Sequence, residues 1–386
     1  MKAIPYSHQH ITKKDIRAMV KVLTSDWLTQ GPKVREFESA LCKYTGAKHA
    51  IVVSSGTAAL HLATLAAGIR QKDEAITSPI TFVASANCIL YCGGIPVFVD
   101  IQNDTINIDP KEIRKKITRK TKVIIPVHFA GHPCDLDEIR HIAKKHNLLV
   151  IEDAAHALGA EYKGSKIGSC KYSDMTVFSF HPVKSITTGE GGAILTNSKS
   201  IYEKILLFRN HGITKDRTKM KQCEGPWYYE MHELGFNYRL TDMQCALGIS
   251  QLKKLNGFIK RRRSIADFYN NKFKNNPYFD IPTEKEYARS SYHLYPIKIK
   301  EDHKGRKRQA FESMRKMRIN VQLHYIPVYL QPYYRKLGFK KGICQNAESF
   351  YQGDINIPIF PSLKLSQAKY VANKVIKIFD KLSKHE

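Results

Sequence analysis

Three short stretches of this chain carry residue types that could do chemistry together. The first is Ser55-Gly56-Thr57, between the apolar run AIVVSS (50–55) and the helical pattern GTAALHLATLAAG. The first N–H groups of a helix lack an intrahelical acceptor, so with the helix dipole they form a cradle for a phosphate. Glycine lets the anion approach closely, and a threonine hydroxyl adds a donor; the same triplet also reads as a plain helix cap. The second stretch is LLVIED (148–153), which ends in Asp153. Open α/β sheets bind ligands beyond the carboxyl ends of their strands. Neighbours in a strand point to opposite faces, so only one of Glu152 and Asp153 should meet such a cleft. The alternative is a solvated loop carboxylate.

The third stretch is SFHPVKSITTGEGG (179–192), where Ser179 ends a strand, Lys184 follows five residues later, and Gly189, Gly191 and Gly192 let the chain turn back. A lysine held in a cleft near a carboxylate can have its pKa lowered and attack a carbonyl. Against this stands the bland reading of one more surface lysine in a basic chain. Taken together, the three stretches supply what pyridoxal phosphate needs. The cradle takes the phosphate, the lysine joins the aldehyde, and the carboxylate keeps the pyridine nitrogen protonated.

The elements that must position these residues alternate between short β-branched runs and helical patterns, which predicts an α/β domain with a largely parallel sheet. Strands are expected at AIVVSS, EAITSP (74–79), PVFVDI (96–101), KVIIPVHF (122–129), LLVIED, MTVFSF (175–180) and GGAILT (191–196). Between them lie helices in TFVASANCILYCGG, in DPKEIRKKI with Asp109 as N-cap and Pro110 at the first helical position, and in DLDEIRHIAKKHN. A single long amphipathic helix is expected from Thr241 to about Asn270. Beyond the proline-marked NNPYFDIPTEKEY the pattern changes. YHLYPIKI (292–299) and INVQLHY (319–325) alternate like half-buried strands, RKRQAFESMRKM is helical, and the chain closes in the helix SQAKYVANKVIKIFDKLSK.

A length of 386 residues exceeds what one core usually fills, so two domains are expected. The composition, 42% hydrophobic and 25% charged, is that of a globular protein and excludes a disordered chain. The net charge of +27 would attract phosphorylated ligands. The run KRRR (260–263) has no aromatic-interleaved nucleic-acid signature beside it, so it is expected to be a solvated helix face and no nucleic-acid partner is expected. Eight scattered cysteines without a CxxC pair, and an N-terminus without an apolar core, point to reduced thiols and a cytoplasmic location. Ala75 to Val99 carries no charge, but its prolines and glycines break it into strand, helix and strand rather than a membrane span. Cys88 with Cys92, and His128 with His132 and Cys134, fall short of a metal-ligand set, so no metal is expected.

The ordered motifs SSGTAAL, TSPITFVASAN, IEDAAHALGAEYKG, SFHPVKSITTGEGG, FRNHG and GFNYRLTDMQCALGISQL resemble the DegT/StrS-type nucleotide-sugar aminotransferases, from about residue 5 to the C-terminus. The resemblance implies the PLP-dependent transferase fold type I, aspartate aminotransferase-like, with a large mixed-sheet domain and a small α+β C-terminal domain. We place these at residues 1–255 and 256–386. It also implies a homodimer with shared active sites. By the same resemblance Lys184 is the Schiff-base lysine and Asp153 the pyridinium partner. Ser55, Gly56, Thr57 and Ser179 hold the phosphate, with Asn237 reaching it from the other subunit, and Phe82 stacks on the ring. His156 stands where many relatives have glutamine, facing the ring hydroxyl. Some relatives carry histidine in place of the lysine and are dehydratases, so the presence of Lys184 favours transamination.

Three further segments, IPYSHQHITKKDI, SDWLTQGP (25–32) and QLHYIPVYLQPYYR (322–335), are similar to the members of the family that serve pseudaminic acid synthesis. That implies L-glutamate as donor and a UDP-4-keto-6-deoxy-N-acetylhexosamine as acceptor. Tyr6, Asp26, Trp27, Leu28, Thr29, Gln322, Leu323, His324 and Tyr325 would line the sugar-nucleotide site. The alternatives are the same chemistry on another nucleotide keto-sugar, or a regulator of this fold that binds DNA.

Overall fold

A computed structural model describes residues 3–383. Its centre is a seven-stranded sheet built from β1 (His49–Val53), β2 (Glu74–Thr77), β3 (Ile95–Phe98), β4 (Thr121–Ile125), β5 (Leu149–Asp153), β6 (Met175–Ser179) and β7 (Gly192–Thr196), in the order β1-β7-β6-β5-β4-β2-β3. Strands β6, β5, β4, β2 and β3 are mutually parallel. Only β7 is reversed, antiparallel to both β1 and β6. The Gly-rich segment after Ser179 folds the chain back so that Gly192 pairs with Ser179 itself. The sheet is therefore mixed, with one reversal in a parallel frame.

Both faces of the sheet are covered, so its strands are apolar nearly throughout. Val52, Ile124, Val150, Phe178 and Leu195 face one core with helices Pro32–Thr45 and Leu136–Lys145. Ile51, Ile125, Ile151, Val177 and Ile194 face the other with helix Gly56–Ala66. The two-residue alternation sends Glu152 to the first face, where His128 Nε2 lies 2.7 Å away and Thr176 Oγ1 donates at 2.9 Å, and sends Asp153 to the second.

A second core, which includes Ile265, Tyr269, Ile297, Ile355 and Val375, lies around an antiparallel sheet of Phe279–Asp280, Tyr295–Ile299 and Asp354–Ile357 and the closing helix Leu365–Ser383. Lys384 of the expected closing helix lies outside the described residues. Aromatic side chains, among them Phe98, Phe129, Tyr329, Tyr334 and Phe350, form a further buried cluster that joins β3 to residues 328–350.

Three expectations need correction. The long helix is two, Asp242–Leu252 and Leu255–Phe273, broken at Lys253 and Lys254. Lys254 turns there to reach Asp15 of the N-terminal helix. The second helix then serves both cores, with Leu255 and Ile259 in the first and Ile265, Tyr269 and Phe273 in the second. The KRRR run is not a solvated face. Arg262 is 1% exposed and donates to the carbonyls of Tyr292, His293 and Ile359 at 3.3, 3.0 and 2.8 Å, while Arg263 pairs with Glu284. Finally, INVQLHY makes only single bridges, Ile319 to Ile4 and Gln322 to Asn356. Its later backbone leaves the sheet direction because the His324 N–H is taken by the Asp354 carboxylate at 2.7 Å.

Among the described residues no helix is long and apolar enough to cross a membrane, and no group of three His, Cys, Asp or Glu could hold a metal ion. All eight cysteines are free thiols.

Candidate active site

The carboxyl ends of β1, β5 and β6 open onto a cleft of about 460 Å³. At its floor Ser55 caps helix Gly56–Ala66, its Oγ accepting from Ala58 N–H at 3.0 Å while its carbonyl accepts from Ala59 N–H at 3.0 Å. The N–H groups of Gly56 and Thr57 are thus left without an intrahelical acceptor at the positive end of the helix. A Cβ on Gly56 would lie 2.8 Å from Ser179 Cβ, and one on Gly192 would lie 2.5 Å from the Ser55 carbonyl oxygen. Both glycines are therefore needed for the helix start to sit against the end of β6 and the start of β7. That close fit brings Ser179 into the cradle.

Asp153 is buried at the tip of β5 and held from two sides. Ser85 Oγ donates to Oδ2 at 2.5 Å, and the Ala155 N–H donates to Oδ1 at 3.1 Å. Lys184 comes down from the loop after β6, and its Nζ has no hydrogen-bond partner among the described residues. Burial lowers its pKa from 10.5 to about 8, with the Asp153 charge pulling the other way. A half-buried amine without a partner, facing a fixed carboxylate, still carries its proton at neutral pH but gives it up more readily than an ordinary lysine, and once it has done so it can act as nucleophile or base.

Three buried imidazoles and two tyrosines form the remaining wall. His156 and His293 pack with ring centroids 4.4 Å apart, His324 lies 5.6 Å from Tyr6, and Tyr325 stacks near His156 at 6.2 Å. The Nδ1 atoms of His156, His293 and His324 are all buried without a partner. Burial keeps each of them neutral, reinforced by the Lys184 charge. His324 is lowered to about 3, and His156 and His293 are held well below 6.5. The Ser7 hydroxyl, on the N-terminal segment that carries Tyr6, donates to the Val183 carbonyl beside the lysine at 3.2 Å.

Of the residues singled out from sequence, the fold gathers Tyr6, Ser55, Gly56, Thr57, Phe82, Asp153, His156, Ser179, Lys184, His324 and Tyr325 around this one cleft. Phe82 stands at its rim, 58% exposed, with its ring 6.4 Å from Tyr325. Others lie elsewhere on this chain. Asn237 is exposed and bridges to Asn210. Asp26, Trp27, Leu28 and Thr29 form an exposed loop that pairs with Thr241 and Asp242, with Trp27 56% exposed. Gln322 points to solvent, and Leu323 packs against the second core. Sequence reasoning passed over Ser85, Thr81, His181, Glu190 and His293. Of these Thr81, His181, Glu190 and His293 line the cleft, and Ser85 orients Asp153. Glu190 could have been found within the Gly-rich loop; Ser85 and His293 reach the site only through folding.

A profile of the DegT/DnrJ/EryC1/StrS aminotransferase family matches residues 9–376. Over 384 residues and 99% of each chain, the sequence is 45% identical to the UDP-4-amino-4,6-dideoxy-N-acetyl-beta-L-altrosamine transaminase of Campylobacter jejuni subsp. jejuni serotype O:23/36. The structure is similar to that of Helicobacter pylori PseC, an aminotransferase involved in the biosynthesis of pseudoaminic acid, with a TM-score of 0.91, 39% identity and coverage of 98% of this chain and 100% of the other. It is likewise similar to the PLP-form of the putative sugar aminotransferase Spr1654 of Streptococcus pneumoniae, with a TM-score of 0.92, 31% identity and coverage of 98% and 99%.

Proposed function

The chain belongs to the DegT/DnrJ/EryC1/StrS aminotransferase family, and from that premise we propose that it moves an amino group from L-glutamate to C4 of a UDP-4-keto-6-deoxy-N-acetylhexosamine, on the pseudaminic acid route and in the cytoplasm. As a family member it is a nucleotide-sugar transaminase of fold type I that uses pyridoxal phosphate. The cleft fits that cofactor. Two unsatisfied N–H groups at a helix start suit a phosphate, an anchored carboxylate suits a protonated pyridine nitrogen, and an unpartnered, half-buried amine suits an aldehyde. The observation that carries the reading is Lys184 facing Asp153 in the same cleft as the Gly56 helix start.

When bound, pyridoxal phosphate stores the amino group between the two half-reactions and spreads the electron pair left when a carbon gives up its proton. Gly56, Thr57 and Ser179 hold the phosphate. Asp153, kept from turning by Ser85 and Ala155, keeps the proton on the pyridine nitrogen. Lys184 takes a proton from the donor's Cα and returns one to C4 of the sugar. Its lowered pKa lets it serve as acid and base in turn near pH 8. Tyr6, His324 and Tyr325 shut water out on the sugar side, between a large domain of residues 1–255 and a small domain of residues 256–386. Asn237 and the Asp26–Thr29 loop, exposed on one chain, complete the cleft of a second copy in a homodimer.

The choice of sugar is supported by the 45% identity to an altrosamine transaminase along nearly the whole chain. The test is an absorbance spectrum of the purified protein, before and after L-glutamate, then with a panel of UDP- and dTDP-4-keto-6-deoxysugars. Glutamate should bleach the cofactor's visible band, and one UDP-4-keto-sugar should restore it. Restoration by dTDP-sugars alone would overturn the sugar assignment, and turnover by Lys184→Ala would overturn the role of the lysine.

A further inference from the structure

His156 follows Asp153 by three residues and lines the cleft. Its Nε2 lies 3.2 Å from the Tyr325 hydroxyl, whereas its Nδ1 is buried with no partner. Nε2 is in turn the one hydrogen-bond partner of the Tyr325 hydroxyl among the described residues. A neutral imidazole has a single N–H, so whatever meets one nitrogen decides what the other can do. Two arrangements are open. If His156 donates to Tyr325, the tyrosine proton and the His156 Nδ1 lone pair are both stranded. If Tyr325 donates to His156, only one group is left over, an Nδ1–H donor. Stranding a buried polar group costs more than a hydrogen bond returns, so the second arrangement is favoured.

We propose that Tyr325 is a positioning residue whose hydroxyl donates to His156 Nε2 and thereby presents His156 Nδ1 as an N–H donor to the anionic ring oxygen of the cofactor. The inference rests on the cofactor placement given above, and it goes beyond it by assigning a tautomer and the residue that sets it.

The surroundings fit. Burial, together with the charge of Lys184, keeps His156 neutral, so the single-proton argument holds. His293, packed at a 39° tilt against His156 with its own Nδ1 unpartnered, adds no competing hydrogen bond to the His156 ring. The segment carrying Tyr325 is itself anchored, because the buried Asp354 carboxylate accepts from the His324 N–H at 2.7 Å and from the Asn356 amide at 2.7 Å. Glutamine at position 156 would carry its own N–H donor and need no partner to set it. Histidine needs the tyrosine.

The test is the tautomer itself, read in holoenzyme labelled with nitrogen-15 in histidine. The His156 signal is the one lost in His156→Gln. The expected result is a proton on Nδ1, released to a mixture of tautomers in Tyr325→Phe, a change of one oxygen atom. The pyridoxal phosphate dissociation constant should rise about fivefold in Tyr325→Phe, the equivalent of one neutral hydrogen bond. The same tyrosine substitution made on the His156→Gln background should change it less than about twofold, because coupling through His156 is then gone. A proton on Nε2 in the unsubstituted enzyme, or equal losses of affinity on both backgrounds, would overturn the proposal. None of these readouts uses a sugar, so a wrong sugar assignment leaves them unchanged.

Discussion

Replacing Lys184 by methionine should make the cofactor-free protein more stable at neutral pH, although it removes the residue the reaction depends on. Burial lowers the Lys184 amine from 10.5 to about 8, against the weaker opposing pull of Asp153. At pH 7 the amine is protonated both folded and unfolded, so the whole of that difference stands against folding. At 1.36 kcal/mol per unit it corresponds to about 3 kcal/mol, an upper figure because the side chain keeps some access to water. Methionine has nearly the same length and no charge, so it should recover most of this. The sign with pH follows from linkage. Between the folded and ordinary values the unfolded chain binds more protons than the folded one, so the wild-type protein gains stability from this group as pH rises from about 8 towards 10.5. The advantage of the methionine variant is therefore full below about pH 8 and shrinks to below about 1 kcal/mol by pH 10. Urea unfolding of both proteins at pH 7, 9 and 10 measures it. No gain at pH 7 would mean the lysine is not desolvated. A gain of the same size at all three pH values would mean that packing, not charge, was responsible.

Substitutions at four more positions probe the supports of the site and of the fold around it. Ser85→Ala removes a 2.5 Å donor from Asp153; a hydrogen bond to a charged group contributes about 1.5–3 kcal/mol, so kcat should fall at least about tenfold with a smaller loss of cofactor affinity. Gly192→Ala would put a Cβ 2.5 Å from the Ser55 carbonyl oxygen and 2.8 Å from the Gly56 nitrogen. It should cost about 1–3 kcal/mol in urea unfolding and release cofactor faster on dialysis. Gly189→Ala, where a Cβ meets nothing but φ is +83°, should cost about 1 kcal/mol through backbone strain alone and leave cofactor retention intact. Arg262→Ala leaves three buried carbonyls without their donor. A loss of at least about 3 kcal/mol is expected, and Arg262→Lys should restore only part of it, since all three bonds leave from Nη1 at the far end of the guanidinium, beyond the reach of the shorter lysine side chain. Chemical denaturation checks both.

The parts of the fold that could be read directly are those in which local pattern and burial agree. The strands of the main sheet are apolar on both faces and bounded by Gly, Pro and Asp, so their existence, and the alternation that separates Glu152 from Asp153, follow from residue type. The helix caps at Ser55 and Asp109 are visible for the same reason: each satisfies a backbone group within a few residues. Where distant groups meet, the pattern misleads. The charges of KRRR suggest solvent, yet Arg262 is buried because carbonyls from Tyr292, His293 and Ile359 converge on it from other segments. The alternation of INVQLHY suggests a strand, yet a carboxylate on a neighbouring strand takes the N–H of His324 instead.

The site divides along the same line. The sequence by itself determined which chemistry is available, because a lysine in a Gly-rich loop, a strand-end aspartate and a helix-start Ser-Gly-Thr are local signals, each with a local cause. Only the tertiary structure decided how those groups are tuned. It placed Ser85 against Asp153, buried Lys184 enough to lower its pKa, and set Tyr325 opposite His156 across 169 positions of chain. It also showed that Asn237 and the Trp27 loop face outward on a single chain. Tuning of that kind depends on distance and dielectric, and neither is written in the order of residues.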